Sequence, residues 1–305
     1  MVAGLNLAIT GATGFVGGHL LELALATGHR VRALTRRPQQ LRDGVTWVDG
    51  SLDRPDSLSE LVKRADSVIH VAGVINAPDL AGFEAGNVTG TAAMLDASEK
   101  SGVKRFVHVS SLAAREPKLS IYGATKSGSE ALVGSSPLSS SIVRPPAVYG
   151  PGDRETLELF KMAKRGFVLL PPEGRISLIH VDDLSRLLLA LADPSAPKGL
   201  LVEPDDGRHR GWSHEEFGLA LGRALGRRVV TLSTPRPILN LCAWIDRLAR
   251  GDKAKLTADR VAYFCHPDWM VDPGRGAPEA LWKPEVDTEQ GLAKTAQWYR
   301  EQRWL

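Results

Sequence analysis

The residues with the most informative spacing for chemistry are a tyrosine and a lysine four positions apart, Tyr122 and Lys126. On a helix two such side chains share one face. A phenol ordinarily loses its proton at about pH 10, and a neighbouring ammonium favours the phenolate and lowers that pKa. The pair is therefore a candidate proton donor and acceptor for the interconversion of a carbonyl and an alcohol. The alternative is a surface contact without catalytic consequence.

Two serines strengthen the catalytic interpretation. Ser110 and Ser111 follow an apolar segment that predicts a strand from Arg105. In parallel sheets, functional groups lie beyond the carboxyl ends of the strands. Ser111 is therefore a candidate to hydrogen-bond a substrate oxygen and polarise it, whereas Ser110 is equally well explained as a turn or cap residue.

A glycine-rich stretch near the N-terminus indicates a phosphate-binding turn. Gly11, Gly14 and Gly17 stand between a predicted strand, residues 5–9, and a predicted helix, residues 19–27. The first N–H groups of a helix lack partners within the helix, and together with the helix dipole they suit a phosphate. Gly11 would allow the turn, Gly14 the approach of a pyrophosphate and Gly17 the packing of helix on strand. The spacing differs from the usual G-x-G-x-x-G fingerprint, and an ordinary tight connection is the alternative.

The residues that end the second predicted strand bear on the choice of dinucleotide. An acidic side chain there would bind a ribose 2′-hydroxyl, whereas an arginine accommodates a 2′-phosphate. Thr35, Arg36 and Arg37 occupy this position, and no carboxylate does. A guanidinium group presents a fork of donors that suits phosphate. The sequence therefore favours NADP over NAD as cofactor, and the alternative is that both arginines are solvated surface charges.

Predicted strands and helices alternate through residue 150, and several of the strands are apolar on both faces. This pattern is typical of a parallel sheet covered by helices on each side. We expect an α/β fold, a doubly wound parallel sheet (Rossmann fold) with a smaller, mostly helical C-terminal substrate region. Residues 1–150 are predicted to form the dinucleotide-binding domain, with a contribution from 176–202, and residues 151–305 the substrate-binding region. Helices are predicted there at 155–165, 182–192, 214–225, 238–250 and 288–303.

Composition narrows the classes of partner. The 305 residues carry a net charge of only +3, which gives no reason to expect nucleic acid or an acidic membrane surface. No run of about 20 apolar residues could span a bilayer, and the residues before the first strand leave no room for a signal peptide. Cys242 and Cys265 lack metal or redox spacing and suggest a reducing compartment. We expect a cytoplasmic protein with a small-molecule substrate, no metal, and no nucleic-acid or membrane partner, and a homodimer is an open alternative to a monomer.

These residues also carry a resemblance to a known family. In chain order the motifs are Thr10-Gly11-x-x-Gly14-x-x-Gly17, Asn87-x-x-Gly90-Thr91, Ser110-Ser111, Tyr122-x-x-x-Lys126 and Arg144-Pro145. Their order and combination resemble the extended short-chain dehydrogenase/reductase superfamily, over nearly the whole chain. Within it, the chain is similar to NAD(P)-dependent epimerase/dehydratase and dihydroflavonol-reductase-like members.

The resemblance implies a role for each matching residue. Tyr122 would be the catalytic acid/base, and Lys126 would lower its pKa while holding the nicotinamide ribose. Ser111 would orient the substrate oxygen, and Asn87 resembles the family's structural and proton-relay asparagine. The implied dinucleotide contacts are Thr10, Gly11, Thr13, Gly14, Phe15, Val16, Gly17, Arg36, Arg37, Ser51, Leu52, Ala72, Gly73, Ser110, Tyr122, Lys126, Pro145 and Val148.

Two features depart from the family's pattern. The family often has an aspartate beside the adenine after the third strand, whereas Ser51 and Leu52 stand here and Asp53 comes two positions late. The adenine contacts are therefore open. Ten residues separate Ser111 from Tyr122, fewer than in the sugar-nucleotide epimerases. The shorter loop argues against a sugar-nucleotide pocket and leaves the substrate open.

The expected function is that of an NADP(H)-dependent oxidoreductase of the extended short-chain type. It would reduce a carbonyl or oxidise a secondary alcohol by hydride transfer, with acid–base catalysis by the tyrosine, lysine and serine. One alternative is an NAD-dependent sugar-nucleotide epimerase or dehydratase, which returns the hydride to the same substrate. An alternative of another class is a non-catalytic dinucleotide sensor or assembly subunit on the same fold.

Overall fold

The computed structural model describes residues 4–251, 254 and 256–305. The chain divides into two compact units. The first comprises Met1–Arg144, Leu184–Glu203 and Arg275–Trp282, and the second comprises Pro145–Asp183, Pro204–Gly274 and Lys283–Leu305. The division of function between residues 1–150 and 151–305 stays a prediction.

The elements in chain order are as follows. The strands are β1 Asn6–Thr10, β2 Arg30–Thr35, β3 Val45–Asp49, β4 Ser67–His70, β5 Arg105–Val109, β6 Ser140–Val143, β7 Ala147–Tyr149, β8 Phe167–Leu170, β9 Arg175–Ile176, β10 Leu178–His180, β11 Leu200–Val202, β12 Trp212–Ser213, β13 Val230–Ser233 and β14 Asp268–Trp269. The α-helices are α1 Phe15–Ala26, α2 Pro55–Val62, α3 Leu80–Glu84, α4 Gly90–Lys100, α5 Ile121–Ser135, α6 Glu155–Lys164, α7 Val181–Ala192, α8 His214–Ala224, α9 Arg236–Arg250, α10 Ala258–Phe264 and α11 Thr288–Glu301.

A seven-stranded sheet is the centre of the first unit. Its order is β3-β2-β1-β4-β5-β6-β11, and every neighbouring pair is parallel. The central strands are buried along their length, and Leu7, Ala8 and Ile9 have no exposed surface. Such strands need helices on both faces of the sheet, which explains their continuous apolar sequence. The predicted α/β class and doubly wound parallel sheet are confirmed.

The strand order also indicates, by a general rule, the edge of the sheet at which a ligand is expected. After β3 at the sheet edge, the chain returns to the centre and places β4 beside β1. In open α/β sheets, ligands bind at the carboxyl ends of the strands where the order reverses in this way. Thr10 ends β1, and His70 is its register partner at the end of β4. These two residues therefore mark the switch point of the first unit.

The sequence also predicts one long helix after β4, from about Leu80 to Ser101, and the structure shows this helix interrupted. In place of one α-helix over residues 80–101, α3 and α4 flank a π-helical segment, Ala85–Thr89. A π-helical turn holds one residue more than an α-helical turn and is frequent at functional sites. Asn87 lies in this segment and is 1% exposed. The sequence pattern gave no sign of the interruption, since α-helical periodicity resumes on both sides of it.

The second unit contains short strands and helices. β7 pairs with β10 and β8 with β13, in both cases parallel, whereas β9 lies between antiparallel β12 and parallel β14. Phe160 of α6, Leu221 of α8 and Tyr299 of α11 are fully buried in its core. The five helices predicted beyond residue 150 are present within about two residues at their ends, although α7 from Leu184 onward belongs to the first unit. Helix α10 and the short strands β9, β12 and β14 complete the unit.

Within the described part of the chain, no helix combines the length and the apolar character needed to cross a bilayer.

Candidate active site

Helix α5 carries the tyrosine and lysine of the predicted pair. Ser120 caps its N-terminus, because its side chain accepts a hydrogen bond from the Gly123 N–H at 3.0 Å. Tyr122 and Lys126 stand one turn apart in this helix. The Lys126 ammonium is buried and donates to the Val109 carbonyl oxygen at 2.8 Å. The helix that the spacing of Tyr122 and Lys126 predicted is present, and its lysine reaches the carboxyl end of β5.

Ser111 and Tyr122 are joined by a hydrogen bond between their side chains. Ser111 caps a short 3₁₀ helix, Leu112–Arg115, and its hydroxyl also accepts from the Ala113 N–H at 3.2 Å. Burial raises the pKa of the Tyr122 phenol, and the hydrogen bond with Ser111 acts in the opposite direction. The direction differs from the lowering expected from Lys126, because burial disfavours the phenolate. Tyr122 therefore holds its proton at neutral pH and is suited to donate it.

Burial also acts on Lys126. It lowers the pKa of the ammonium to about 8, and the negative charge of Glu130 partly opposes this. The lysine nevertheless remains mostly protonated at pH 7. A Cβ placed on Gly73 would lie 3.7 Å from Lys126 Nζ and 3.1 Å from Asn87 Oδ1. The backbone of the segment after β4 therefore lies beside the Lys126 and Asn87 side chains, and Gly73 places no side chain between them.

Asn87 connects the segment after β4 to helix α5 by hydrogen bonds. Its Oδ1 accepts from the Val74 N–H at 2.7 Å, and its Nδ2 donates to the Val74 carbonyl at 2.9 Å and to Thr125 Oγ1 at 3.0 Å. The asparagine therefore fixes the segment after β4 against helix α5. Its predicted role in a proton relay stays a prediction.

A chain of buried hydrogen bonds runs from the glycine turn to Asn87. Ala72 N–H donates to Thr10 Oγ1 at 3.1 Å, which lies 2.8 Å from His70 Nδ1. His70 Nε2 lies 3.1 Å from Thr91 Oγ1, which donates to the Asn87 carbonyl at 2.7 Å. Since the Thr91 hydroxyl hydrogen is used, its oxygen must accept from Nε2–H, and Nδ1 then accepts from Thr10. This assigns His70 as a neutral imidazole protonated on Nε2.

The environment of His70 agrees with that assignment. The ring is fully buried, and burial lowers its pKa to about 3, with a smaller effect from the charge of Lys126. His108 stacks on it with ring centroids 5.6 Å apart, and burial lowers the pKa of His108 well below the ordinary value as well. His108 Nε2 lies 2.9 Å from Ser129 Oγ, whereas its Nδ1 has no partner among the described residues. Both histidines are thus buried residues of the central sheet.

The glycine turn joins β1 to α1 as predicted. Gly11 has a φ angle of +74°, in the left-handed region that favours glycine, and a Cβ there would lie 2.8 Å from the Ala72 nitrogen. A Cβ on Gly17 would lie 2.1 Å from the Gly11 carbonyl oxygen. Gly14 is the N-cap of α1 and places no side chain over its first N–H groups. The turn is thus a backbone cradle, beside Ala72, into which a pyrophosphate fits.

Replacing Gly17 with alanine is expected to disrupt this cradle. The atoms that a Cβ would meet are all backbone atoms of the turn, so the turn itself must move. We expect a loss of about 1–3 kcal/mol in the free energy of unfolding, typical of overpacking, together with weaker dinucleotide binding by titration. Gly18→Ala is the matched control, because its Cβ would lie 3.8 Å from the Ala12 oxygen. Equal effects of the two substitutions would contradict the close approach.

The end of β2 presents Arg36 and Arg37, both exposed, after the buried Thr35. Thr35 Oγ1 donates to the Arg37 carbonyl at 2.7 Å, which holds the chain in a tight turn. Asp53 lies near this end: hydrogen bonding from Ser51 is the main cause that lowers the pKa of its carboxyl, and the charge of Arg36 contributes. The Ser51 hydroxyl is therefore directed to Asp53. The predicted contact of Ser51 with the adenine stays a prediction.

The remaining predicted contacts are distributed as follows. Thr13, Phe15 and Val16 lie in the glycine turn and the first turn of α1. Leu52 packs against Gly90, where a Cβ would come within 2.7 Å of its Cδ1. Pro145 and Val148 belong to the second unit, and their contact with a nicotinamide stays a prediction.

A buried ionic network lies behind Ser110 and was not predicted. The Ser110 hydroxyl donates to Glu130, so its proposed cofactor contact now depends on its backbone. Arg144 donates to both carboxylate oxygens of Glu130, at 2.9 and 2.6 Å, and to Glu203 at 3.2 Å. Arg115 also pairs with Glu203, at 3.4 Å. The i,i+4 spacing of Lys126 and Glu130 was the available sequence signal.

Together these residues can hold a dinucleotide and move a proton. The cradle at α1 and the open approach at Gly73 fit a pyrophosphate and a ribose, with Lys126 beside the latter position. The phenol of Tyr122 with the Ser111 hydroxyl can polarise and protonate one oxygen atom. Among the residues that the structure describes, no three His, Cys, Asp or Glu side chains form a group that could hold a metal ion.

The whole chain was compared with family models, curated proteins and solved structures, and each comparison finds similar proteins. A family model described as NAD(P)H-binding matches residues 11–169. A ceramide reductase from Caulobacter vibrioides is 39% identical, over 98% of this chain and 95% of its own length. A UDP-glucose 4-epimerase from Vibrio cholerae is 25% identical, over 96% and 94%. The solved structure of MoeE5 in complex with UDP-glucose and NAD has a TM-score of 0.76 at 23% identity, covering 98% of this chain and 100% of that one. This last likeness concerns the fold alone.

Proposed function

Because the chain belongs to the extended short-chain dehydrogenase/reductase superfamily and is an NAD(P)-dependent oxidoreductase, we propose that it reduces a ketone on a long-chain, ceramide-like lipid, using NADPH. The observation that carries the proposal is the hydrogen-bonded pair of Tyr122 and Ser111, with Lys126 one helical turn away. This is an acid–base group for a single carbonyl oxygen.

The protein residues would handle the proton and the position of the substrate. Bound NADPH would supply the hydride, which goes to the carbonyl carbon. Ser111 and Tyr122 would hold the carbonyl oxygen, and the Tyr122 phenol would give it the proton that completes the alcohol. Solvent then returns a proton to Tyr122. The neutral phenol favoured by burial suits this direction of reaction.

The cofactor preference is supported by the end of β2. Arg36 and Arg37 are exposed there and could pair with a 2′-phosphate, which NADPH has and NADH lacks. Asp53 could be counted against this preference, since it is close enough to Arg36 to feel its charge. It stands beyond β3 rather than at the end of β2, where a ribose-binding carboxylate would be expected.

The substrate class is supported by the 39% identity to a ceramide reductase along nearly the whole chain. A ceramide has a secondary hydroxyl group, and the ketone at the same carbon is its oxidised partner. That carbonyl and alcohol form the kind of pair for which one proton donor and one hydride are sufficient. The epimerase relative is less similar, at 25% identity.

A substrate panel tests the proposal. The purified protein is incubated with NADPH and, separately, with a ketone analogue of ceramide in detergent, a short-chain N-acyl amino ketone and UDP-glucose. We expect consumption of one NADPH per alcohol formed with the two ketones. Interconversion of UDP-glucose without net consumption of NADPH would instead favour the sugar-nucleotide epimerase.

Substituting Arg36 and Arg37 together with glutamine is expected to weaken NADPH binding selectively. Loss of charged hydrogen bonds to a phosphate costs about 1.5–3 kcal/mol, which corresponds to roughly 10- to 150-fold in the dissociation constant. NADH binding should change little. The measurement is a titration with each cofactor, with Arg30→Gln, at the other end of the same strand, as the matched control. Equal weakening of both cofactors would remove the argument for NADPH.

A further inference from the structure

Helix α9 of the second unit turns its apolar residues toward solvent. They recur at helical spacing, so they form one continuous face. Five large apolar side chains of this face are 51–68% exposed: Ile238, Leu241, Trp244, Ile245 and Leu248. We call these five residues the outer face of α9. A surface helix of a globular protein normally directs such a stripe to the core.

The opposite side of the helix is the one that contacts the protein. Ala243 is 4% exposed, Leu239 is half-buried and the Asp246 side chain is 17% exposed. At about 100° per residue, these three lie across the helix from the outer face. Asp246 accepts from the Leu256 N–H at 2.9 Å and pairs with Arg250 at 3.2 Å. The side of α9 that faces the protein is thus formed by Leu239, Ala243 and Asp246, whereas the five large apolar residues of the outer face have no such contact surface among the described residues.

The segment around α9 is strongly basic. Residues 227–251 contain five arginines and a single acidic residue, Asp246, a balance of +4, whereas the whole chain has a net charge of +3. All five are exposed: Arg227, Arg228, Arg236, Arg247 and Arg250. Exposed apolar side chains also occur in β13, the strand before α9, where Val230 and Leu232 are 62% and 47% exposed. Leu169, the register partner of Leu232, is 45% exposed.

We propose that the outer face of α9 binds the surface of an anionic phospholipid bilayer. A helix that lies in the membrane interface combines an apolar face with flanking basic residues, and tryptophan favours the level of the headgroups. Anionic headgroups attract each nearby arginine or lysine. The helix lies along the surface and does not cross it. The proposal departs from the expectation of no membrane partner, which rested on the small net charge of the whole chain and not on the local charge around α9.

Charge favours a bilayer over a second copy of this chain as the partner. A two-fold interface would bring the same patch of each copy together. At about 100° per residue, Arg236 and Arg247 lie toward one edge of the outer face, so such an interface would bring them near their copies, and like charges at an interface are unfavourable. An anionic surface neutralises the same arginines. The inference rests on the proposed function in one respect: a long-chain lipid resides in a bilayer, where a surface-bound enzyme would meet it.

Co-sedimentation with vesicles tests the apolar part of the proposal. The full chain is mixed with vesicles of phosphatidylcholine containing or lacking phosphatidylglycerol, and we expect binding to the anionic vesicles. The double variant Ile245→Ser with Leu248→Ser should bind at least about tenfold more weakly, because two anchoring side chains are lost. Leu41→Ser is the matched control, since Leu41 is 99% exposed in the first unit. Turnover of a water-soluble ketone should be unchanged in both.

The charge is tested by Arg236→Gln with Arg247→Gln. Each arginine near an anionic surface contributes about fivefold in affinity, so binding to phosphatidylglycerol vesicles should fall about 25-fold and depend less on salt. Lys294→Gln is the control for an exposed charge on another helix.

Two results would overturn the proposal. One is a vesicle experiment in which the wild-type protein fails to bind anionic vesicles, or in which the double serine variant binds them as tightly as the wild type. The other is a wild-type dimer by analytical ultracentrifugation that becomes monomeric in the Ile245 and Leu248 variant, which would assign the face to a second copy. Vesicle binding without reduction of a lipid ketone would remove the proposed function and leave this inference. Reduction of a lipid ketone in detergent without vesicle binding would overturn this inference and leave the proposed function.

Discussion

Replacing Tyr122 with phenylalanine is expected to lower kcat for ketone reduction by about 10²- to 10⁴-fold, the usual contribution of a general acid. The ring remains in place in helix α5, so only the hydroxyl that bonds to Ser111 is removed. The dissociation constant of NADPH should change little, because the cradle at α1 and the Lys126 ammonium are unaltered. Steady-state kinetics and a separate cofactor titration measure the two quantities.

Tyr263→Phe is the control for this substitution, because it removes a phenolic oxygen from helix α10 in the second unit. It should leave kcat near the wild-type value. A Tyr122→Phe variant with near wild-type turnover would exclude Tyr122 as the proton donor. A variant that loses NADPH binding along with turnover would indicate a structural role for the phenol instead.

Acidification is expected to destabilise the fold through His70. Its pKa is about 3 in the folded chain and about 6.5 in an unfolded one, so the unfolded state binds the proton first as the pH falls. The stabilisation is complete above pH 6.5 and is lost progressively between about pH 6.5 and 3. The slope is about 1.4 kcal/mol per pH unit and the total about 5 kcal/mol. Urea unfolding at a series of pH values measures this.

The variant His70→Asn isolates the contribution of this ring. It should be less stable than wild type at pH 7, because Thr10 and Thr91 lose a partner that fits both hydroxyls. Its unfolding free energy should fall less steeply between pH 6 and 4, by about 1.4 kcal/mol per pH unit. His209→Asn, at an exposed position, controls for the loss of one histidine. Parallel pH profiles for wild type and His70→Asn would contradict the assignment of a neutral ring.

Much of the fold could be predicted because its signals are local. The continuous apolar strands, the glycines before α1 and the cap at Ser120 each specify a segment by its own sequence. The site was predictable to the same extent: Tyr122 and Lys126 share a helix, and Ser111 follows a strand. What these side chains do to each other depends on burial, and burial raises the pKa of Tyr122 where the neighbouring lysine alone predicted a decrease.

The polar groups that support the site could not be predicted, because they meet only through the pairing of distant strands. Thr10 and His70 are 60 residues apart and are brought into contact by the register of β1 and β4. Arg144 and Glu203 are 59 residues apart and meet beside the last strand of the sheet. No spacing in the sequence signals either contact. The helix over 238–250 was predicted, but the helical spacing of its apolar residues does not say whether they face the core.

The position of Asn87 depends on the number of residues in the π-helical segment. One residue more than an α-helical turn is accommodated within Ala85–Thr89, so deleting any one of the four residues other than Asn87 would restore regular winding. Residues on the two sides of the deletion would then be rotated by about 100° relative to each other, and the amide could no longer face both Val74 and Thr125. Relatives that keep Asn87 and this site should therefore align across Ala85–Thr89 without gaps.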